Sequence, residues 1–186
     1  MLINKKERTV PQPMLLPHLY FQSLFRNKKD MWSQCVEGSD PAGALRFWQN
    51  ISESAFVNNH LHLPVAHWGA TIPLGLHGDG GSFYKHESLF VFTWNSLLGT
   101  GNTQAKRFVL TVLRKSQMAP GTLDAIFKVL AWSFNALLSG IAPAEDWEQR
   151  PLVDGGQWLA GRWRGALVQV RGDWEFHCQI FQLPTN

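Results

Sequence analysis

Two aspartates have the residue type and the setting to form the acidic part of a metal site. Asp79 lies in the glycine-rich stretch "HGDGG", which predicts a turn at the end of the first strand, and Asp173 lies in "RGDWEF" just beyond the last predicted strand. Mg²⁺ and Mn²⁺ prefer oxygen ligands, and two such ions can activate the attacking oxygen and stabilise the leaving one in phosphoryl transfer. Glycines beside Asp79 would also let a nucleic-acid backbone approach closely. The pattern predicts Asp79 and Asp173 as catalytic, metal-binding residues, with two ordinary turn aspartates as the alternative.

A second set of residues has the charge to contact nucleic-acid phosphates. These residues are Lys106, Arg107, Arg162, Arg164 and Arg171. Tryptophans are interleaved with the last three, and such a mixture suits a single strand or a distorted duplex, although a solvated loop anchored by buried tryptophans is the alternative. The chain carries 17 Lys and Arg against 14 Asp and Glu, a net charge of +3, so we expect modest DNA binding with little sequence preference.

A rival hypothesis uses histidine as a metal ligand. His77 and Asp79 have H-x-D spacing, and His177 would complete the facial triad of a non-haem iron oxygenase. The segment after His177, "CQIFQLPTN", lacks the basic residue that holds the co-substrate carboxylate in such enzymes. A long helix between strands also fits poorly in a jelly roll. This hypothesis therefore ranks below phosphoryl transfer.

The elements that must position these residues follow an α/β pattern. Apolar strands are predicted from Ile72, in "SLFVFTWNSLL" and in "KRFVLTVLRK", and a helix with i, i+3, i+4, i+7 spacing runs from Thr122 to Gly140. A last strand covers Ala166 to Val170. A right-handed helical crossover would place this strand parallel to the first, with Asp79 and Asp173 as neighbours.

The rest of the chain divides into two shorter regions. Residues 1–17 are basic and rich in proline, which predicts a flexible lead-in. Residues 18–70 show short helical patterns, so the α/β domain is expected over residues 71–186 and short helices before it.

Composition narrows the class of protein. The length of 186 residues, with 45% hydrophobic and 17% charged residues, predicts one globular domain. Its two cysteines give neither a disulfide framework nor a zinc pair, and no signal peptide or membrane span is indicated. We expect a soluble, intracellular protein, nuclear if it binds DNA.

Several segments carry a resemblance to a known group of genes. The segments "IPLGLHGDGG", "LAWSFNALLSG", "LAGRWRGALVQVRGDWEF" and "CQIFQLPTN" together resemble highly repeated, transposon-like reading frames of microalgal nuclear genomes. Those frames are in turn similar to Plavaka-type DDE transposases of the Kyakuja-Dileera-Zisupton group. The resemblance implies a partial RNase H-like domain of three antiparallel strands, a helix and a parallel strand. It also implies Asp79 and Asp173 as the first two catalytic acids, Mg²⁺ or Mn²⁺ as cofactor and DNA as partner.

The resemblance also implies what such a domain would need beyond these segments. In those relatives a cysteine-rich insertion and a third acidic residue follow, whereas this sequence stops at Asn186. We therefore expect a truncated domain that is inactive alone. The alternative is a non-catalytic interaction module that associates with itself through an uncovered sheet.

Overall fold

The computed structural model describes residues 10–54, 56–57, 62–84, 87–181 and 183–184. Its helices are α1 (Pro17–Asn27), α2 (Lys29–Met31), α3 (Gly43–Asn50), α4 (Thr103–Lys106), α5 (Thr122–Ser139) and α6 (Trp174–Phe181). Its strands are β1 (Thr71–Tyr84), β2 (Glu87–Ser96), β3 (Phe108–Arg114) and β4 (Arg164–Gly172). A π-helical turn, Trp32–Glu37, follows α2, and 3₁₀ turns at Val65–Ala70 and Lys115–Gln117 flank the first three strands.

The four strands form one mixed sheet in the order β3-β2-β1-β4. β1 pairs antiparallel with β2, and β2 pairs antiparallel with β3. β4 pairs parallel with β1 after the crossover through α5. The α/β class and the predicted strand directions are therefore confirmed.

The two faces of the sheet differ in what covers them. On one, the covered face, Leu74, Leu76 and Phe92 are almost fully buried in the main core. Successive residues of a strand point to opposite sides, so Gly75, His77 and Asp79 of β1 point to the other side, which we call the open face. On that face Val109 and Val112 of β3 are each more than 40% exposed. The open face is therefore accessible at β3 and at the exposed Asp79, whereas Thr93 in its centre is buried.

The helix α5 forms as its periodicity predicts. Leu130 and Leu137 are buried against the sheet, and Gly140 ends the helix in the left-handed conformation, with φ of 73°. The start differs in detail, because Gly121 is the N-cap residue and the Thr122 hydroxyl accepts the N–H of Ala119 at 3.0 Å. The bounds of the helix are nevertheless those that the sequence indicates.

The glycine-rich stretch around Asp79 is not a turn, contrary to the sequence prediction. β1 continues to Tyr84, and Gly80 and Gly81 pair with Phe90 and Leu89 of β2. Glycine is a poor strand former in isolation, but here the antiparallel ladder with β2 holds the backbone extended. Asp79 therefore lies within a strand.

Part of the predicted lead-in is hydrogen-bonded to the sheet. The N–H of Leu15 donates to the carbonyl of Leu110 at 2.8 Å, and the Gln12 amide donates to the carbonyl of Val112 at 3.1 Å. These contacts cover the outer edge of β3. Residues 1–9, the rest of the lead-in, lie outside the described residues. In the described part of the chain, no helix has both the length and the apolar character needed to cross a membrane.

Candidate functional site

A polar cavity of about 290 Å³ lies on the open face, between the ends of β2 and β4 and the helix α4. Its polar lining consists of Asn95, Ser96, Thr103, Lys106, Arg107, Gln169 and Arg171. The cavity thus combines cations with amides and hydroxyls. We call it the polar pocket.

Arg171 reaches across β1 to enter this pocket. Its Nη2 donates to the side-chain oxygen of Asn95 at 3.3 Å. The guanidinium passes over Gly75, where a Cβ atom would lie 3.1 Å from Nη2 and 3.2 Å from the Asn95 oxygen. A side chain at Gly75 would crowd this contact, so the glycine lets the arginine lie on the sheet. The buried Nε of Arg171 has no hydrogen-bond partner among the described residues.

The other two cations of the pocket, Lys106 and Arg107, are positioned by the short helix α4 before β3. The side chain of Asn102 caps α4 by accepting the N–H of Ala105 at 2.8 Å, which fixes the backbone that leads to Lys106 and Arg107. The ammonium of Lys106 donates to the carbonyl of Gly99 at 3.1 Å. Within the described residues, neither these two cations nor Arg171 forms a salt bridge. Their charges are therefore available to an anionic ligand.

His77 lies on the same face, in register with Arg171 of the neighbouring strand. Partial burial lowers the pKa of His77, and the charge of Arg107, followed by that of Arg171, lowers it further. The carboxylates of Asp79 and Asp173 oppose this effect without reversing it. The imidazole is therefore neutral at pH 7 and can offer a hydrogen bond to a ligand without adding charge.

The backbone brings the two predicted acidic residues close together, and their side chains have different surroundings. The parallel ladder of β1 and β4 ends at the pair Gly78 and Gly172, and each aspartate follows directly. The alternation along β1 directs Asp79 to the open face. Asp173 instead turns toward α6, where its Oδ1 accepts the N–H of Phe176 at 2.7 Å. Within the described residues, no three His, Cys, Asp or Glu side chains form a group that could hold a metal ion.

The glycines next to the aspartates serve the packing of Phe176. A Cβ atom on Gly78 would lie 2.0 Å from this ring, and one on Gly172 would lie 2.1 Å from it. The paired glycines therefore form a flat seat on the covered face, and the fully buried Phe176 ring holds α6 there. This packing gives a physical reason for the glycine before Asp79.

The three residues of the oxygenase hypothesis are not assembled. His177 lies on α6, where its ring stacks on Phe181 with 5.8 Å between the ring centres. α6 packs on the covered face through Phe176, whereas His77 and Asp79 point to the open face. The structure therefore does not bring His77, Asp79 and His177 together as a facial triad, because the chain turns into a helix after Asp173.

Arg162 and Arg164 lie at the opposite end of β4 from Asp173. At about 3.3 Å per residue, β4 separates Arg164 from Asp173 by roughly 30 Å. The guanidinium of Arg164 donates to the carbonyl of Ser139, at the end of α5, and that of Arg162 lies 5.2 Å from the centre of the Trp163 ring. The five predicted cations therefore form two groups, and only Lys106, Arg107 and Arg171 line the polar pocket.

Sequence reasoning missed the uncharged part of the pocket. Asn95 and Gln169 contribute amides from β2 and β4, and Thr103 contributes a hydroxyl from α4. Asn95 shares a strand face with Thr93 in an otherwise apolar run, and this polar pair was the signal that a face of β2 is not core.

The chain was also compared with known proteins. Neither models of protein families, nor curated proteins, nor solved structures gave a match. The functional conclusion therefore depends on the geometry of the site.

Proposed function

We propose that this domain binds nucleic acid through the open face of its sheet, with a backbone phosphate in the polar pocket. The observation that carries the proposal is the convergence of Lys106, Arg107 and Arg171 in one cavity without a carboxylate partner among the described residues. Guanidinium groups present several N–H donors in a fixed geometry that matches phosphate oxygens. The amides of Asn95 and Gln169 add uncharged donors to the same cavity.

The number of cations in the pocket sets the expected salt dependence of binding. Three phosphate contacts correspond to a log-log salt slope of about −3 on duplex DNA and about −2 on a single strand. Such contacts position the nucleic acid without reading its sequence, so affinity for different DNA sequences should be similar. The modest net charge of +3 is consistent with this range.

Replacing Arg107 or Arg171 with glutamine should weaken binding to every DNA sequence and make the salt slope shallower by about 1. Fluorescence anisotropy with labelled DNA, titrated at several salt concentrations, measures both quantities. Lys128→Gln is the matched control, because it removes the same charge from an exposed position on α5, on the other side of the sheet. Binding without salt dependence, or an equal loss in the Lys128→Gln variant, would contradict the proposal.

Metal-dependent phosphoryl transfer is a second candidate function. It is favoured by the strand order β3-β2-β1-β4, in which Asp79 and Asp173 directly follow the last paired residues of adjacent parallel strands. The resemblance to RNase H-like transposases implies this arrangement for the first two catalytic acids. Asp79 points to the open face, whereas the Asp173 carboxylate accepts the N–H of Phe176 at the start of α6, and we derive no catalytic step from them.

A manganese titration tests this second candidate. If Asp79 and Asp173 share an ion with substrate phosphates, Mn²⁺ should bind weakly to the protein and more tightly when an oligonucleotide is present. Asp79→Asn and Asp173→Asn should each abolish that gain, whereas Asp124→Asn, at an exposed position of α5, should keep it. Equal and negligible Mn²⁺ binding by all variants and the wild type would favour ordinary structural aspartates.

A further inference from the structure

The segment between α5 and β4 presents a tryptophan on a fixed backbone. Trp158 forms an isolated β-bridge with Ile141, and the N–H of the next residue, Leu159, donates to the carbonyl of Gly140 at 3.0 Å. Leu159 is buried, so the backbone is anchored in the core beside an indole that is 54% exposed. Large aromatic side chains are usually buried for most of their area. An exposed indole on an anchored backbone is therefore suited to contact a partner.

Two arginines contact Trp158, and a third follows it closely in the sequence. The guanidinium of Arg164 lies over the Trp158 ring, 5.8 Å from its centre, and the side chain of Arg26 donates to the Trp158 carbonyl at 3.4 Å. Arg162, four residues along the chain, is exposed, and its guanidinium lies 5.2 Å from the centre of the Trp163 ring. We call Trp158 with these arginines the Trp158 platform.

The acidic groups of the same segment do not neutralise this platform. Asp146 and Glu148 both pair with Arg150, and Glu145 and Asp154 form no salt bridge within the described residues. No salt bridge involves the arginines of the platform within the described residues. The platform thus combines an aromatic face with uncompensated positive charge.

We propose that the Trp158 platform stacks an unpaired base of a single-stranded nucleic acid, with the neighbouring phosphates on Arg26 and Arg162. Every base has a π face, so stacking on an indole tolerates any sequence but requires a base that is free of its duplex partner. Arg164, which lies over the Trp158 ring, holds the indole in place and favours an anionic ligand. This proposal rests on the proposed nucleic-acid binding and adds a preference for single strands.

The platform and the polar pocket are separate sites on this domain. The polar pocket lies toward the end of β4, at Arg171, and the platform lies at its start, at Arg164. At about 3.3 Å per residue these ends are roughly 23 Å apart.

The test compares three probes with the same number of phosphates per strand: oligo(dT), an abasic oligomer of equal length and a duplex. The wild type should bind oligo(dT) most tightly. Trp158→Ala should weaken oligo(dT) binding by about 5- to 150-fold and leave the abasic oligomer unaffected, because only the stacked base is lost. Trp158→Phe should keep part of the difference, and Trp174→Ala, at the other strongly exposed tryptophan, should keep all of it.

The outcomes separate this inference from the proposed function. If the wild type binds oligo(dT) and the abasic oligomer equally well, the platform does not stack a base, although phosphate binding stands. Equal losses for the Trp158→Ala and Trp174→Ala variants, or equal losses on both single-stranded probes, would also overturn the inference. If no probe binds to the correctly folded protein, as judged by circular dichroism, both proposals fail.

Discussion

Replacing Phe176 with alanine is expected to lower the free energy of unfolding by about 3–5 kcal/mol. The Phe176 ring is fully buried on the seat formed by Gly78 and Gly172, and its centre lies 5.7 Å from that of Phe90 and 5.9 Å from that of Phe92. Removing the ring leaves a cavity between α6 and the sheet. Equilibrium unfolding in urea or guanidinium chloride, monitored by circular dichroism, measures the change.

Two further variants show whether the seat itself carries this effect. Trp174→Ala, at a 66% exposed position of the same helix, should change the stability by less than about 0.5 kcal/mol. Gly78→Ala should destabilise the wild type, because its Cβ would clash with the ring, and should cost much less in the Phe176→Ala background. Additive effects of Gly78→Ala and Phe176→Ala would contradict the direct packing of the Phe176 ring on Gly78.

Acidification from about pH 6.5 to about pH 4 is expected to remove roughly 3 kcal/mol of stability through His18 alone. Burial lowers the pKa of this histidine from 6.5 to about 4, and its side chain is only 3% exposed. The unfolded chain therefore takes up a proton at a higher pH than the folded chain. The stabilisation is complete above the unfolded pKa and is lost as the pH falls toward the folded value.

The surroundings of His18 explain why its neutral form is favoured. Its backbone N–H donates to the Ser133 hydroxyl at 3.2 Å, and the same hydroxyl lies 2.7 Å from the ring Nδ1. Because the hydroxyl oxygen already accepts the backbone N–H, its own proton can be donated to an unprotonated Nδ1. The Trp132 ring packs edge-on against the imidazole, with 4.9 Å between centres.

His18→Asn is the informative variant for this prediction. Its side-chain oxygen can replace Nδ1 as acceptor for Ser133 but cannot take up a proton in this range. The variant should lose most of the dependence of stability on pH between 6.5 and 4.5. His77→Gln is the comparison, because the pKa of His77 is also lowered, and it should remove less of that dependence. An unchanged pH profile for His18→Asn would assign the acid sensitivity to other groups.

The strongest periodic signals predicted the fold well. The alternation in β2 and the helical spacing in α5 are both set by burial against one core, so they are visible in the sequence. The predicted end of the first strand was wrong, because pairing with β2 overrides the weak preference of glycine for strands. α6 was missed because Trp174, Phe176, Cys178 and Ile180 alternate with polar residues, a spacing typical of a strand, although Asp173 at its N-cap was a signal.

The candidate site was only partly visible in the sequence. Arg162, Arg164 and Arg171 are close along the chain, but β4 is extended and separates the first two from the third. Lys106 and Arg107 lie just before β3 and are distant from Arg171 in sequence; they share a pocket with it because Arg171 reaches across β1 to Asn95 of β2. Such groupings depend on the strand order, which the residue types alone do not specify.

The position of β1 within the sheet has a consequence for how the chain reaches its folded state. β2 follows β1 in sequence, whereas β4 can pair with β1 only after β3, α5 and the segment to Arg164 have been added. Closing so long a loop is entropically costly, and non-local pairing of this kind slows folding. During synthesis on the ribosome, the outer edge of β1 therefore stays unpaired until β4 emerges. A nascent chain that has not reached Arg164 exposes this edge to pairing with other chains, so productive assembly of the sheet is a late event in translation.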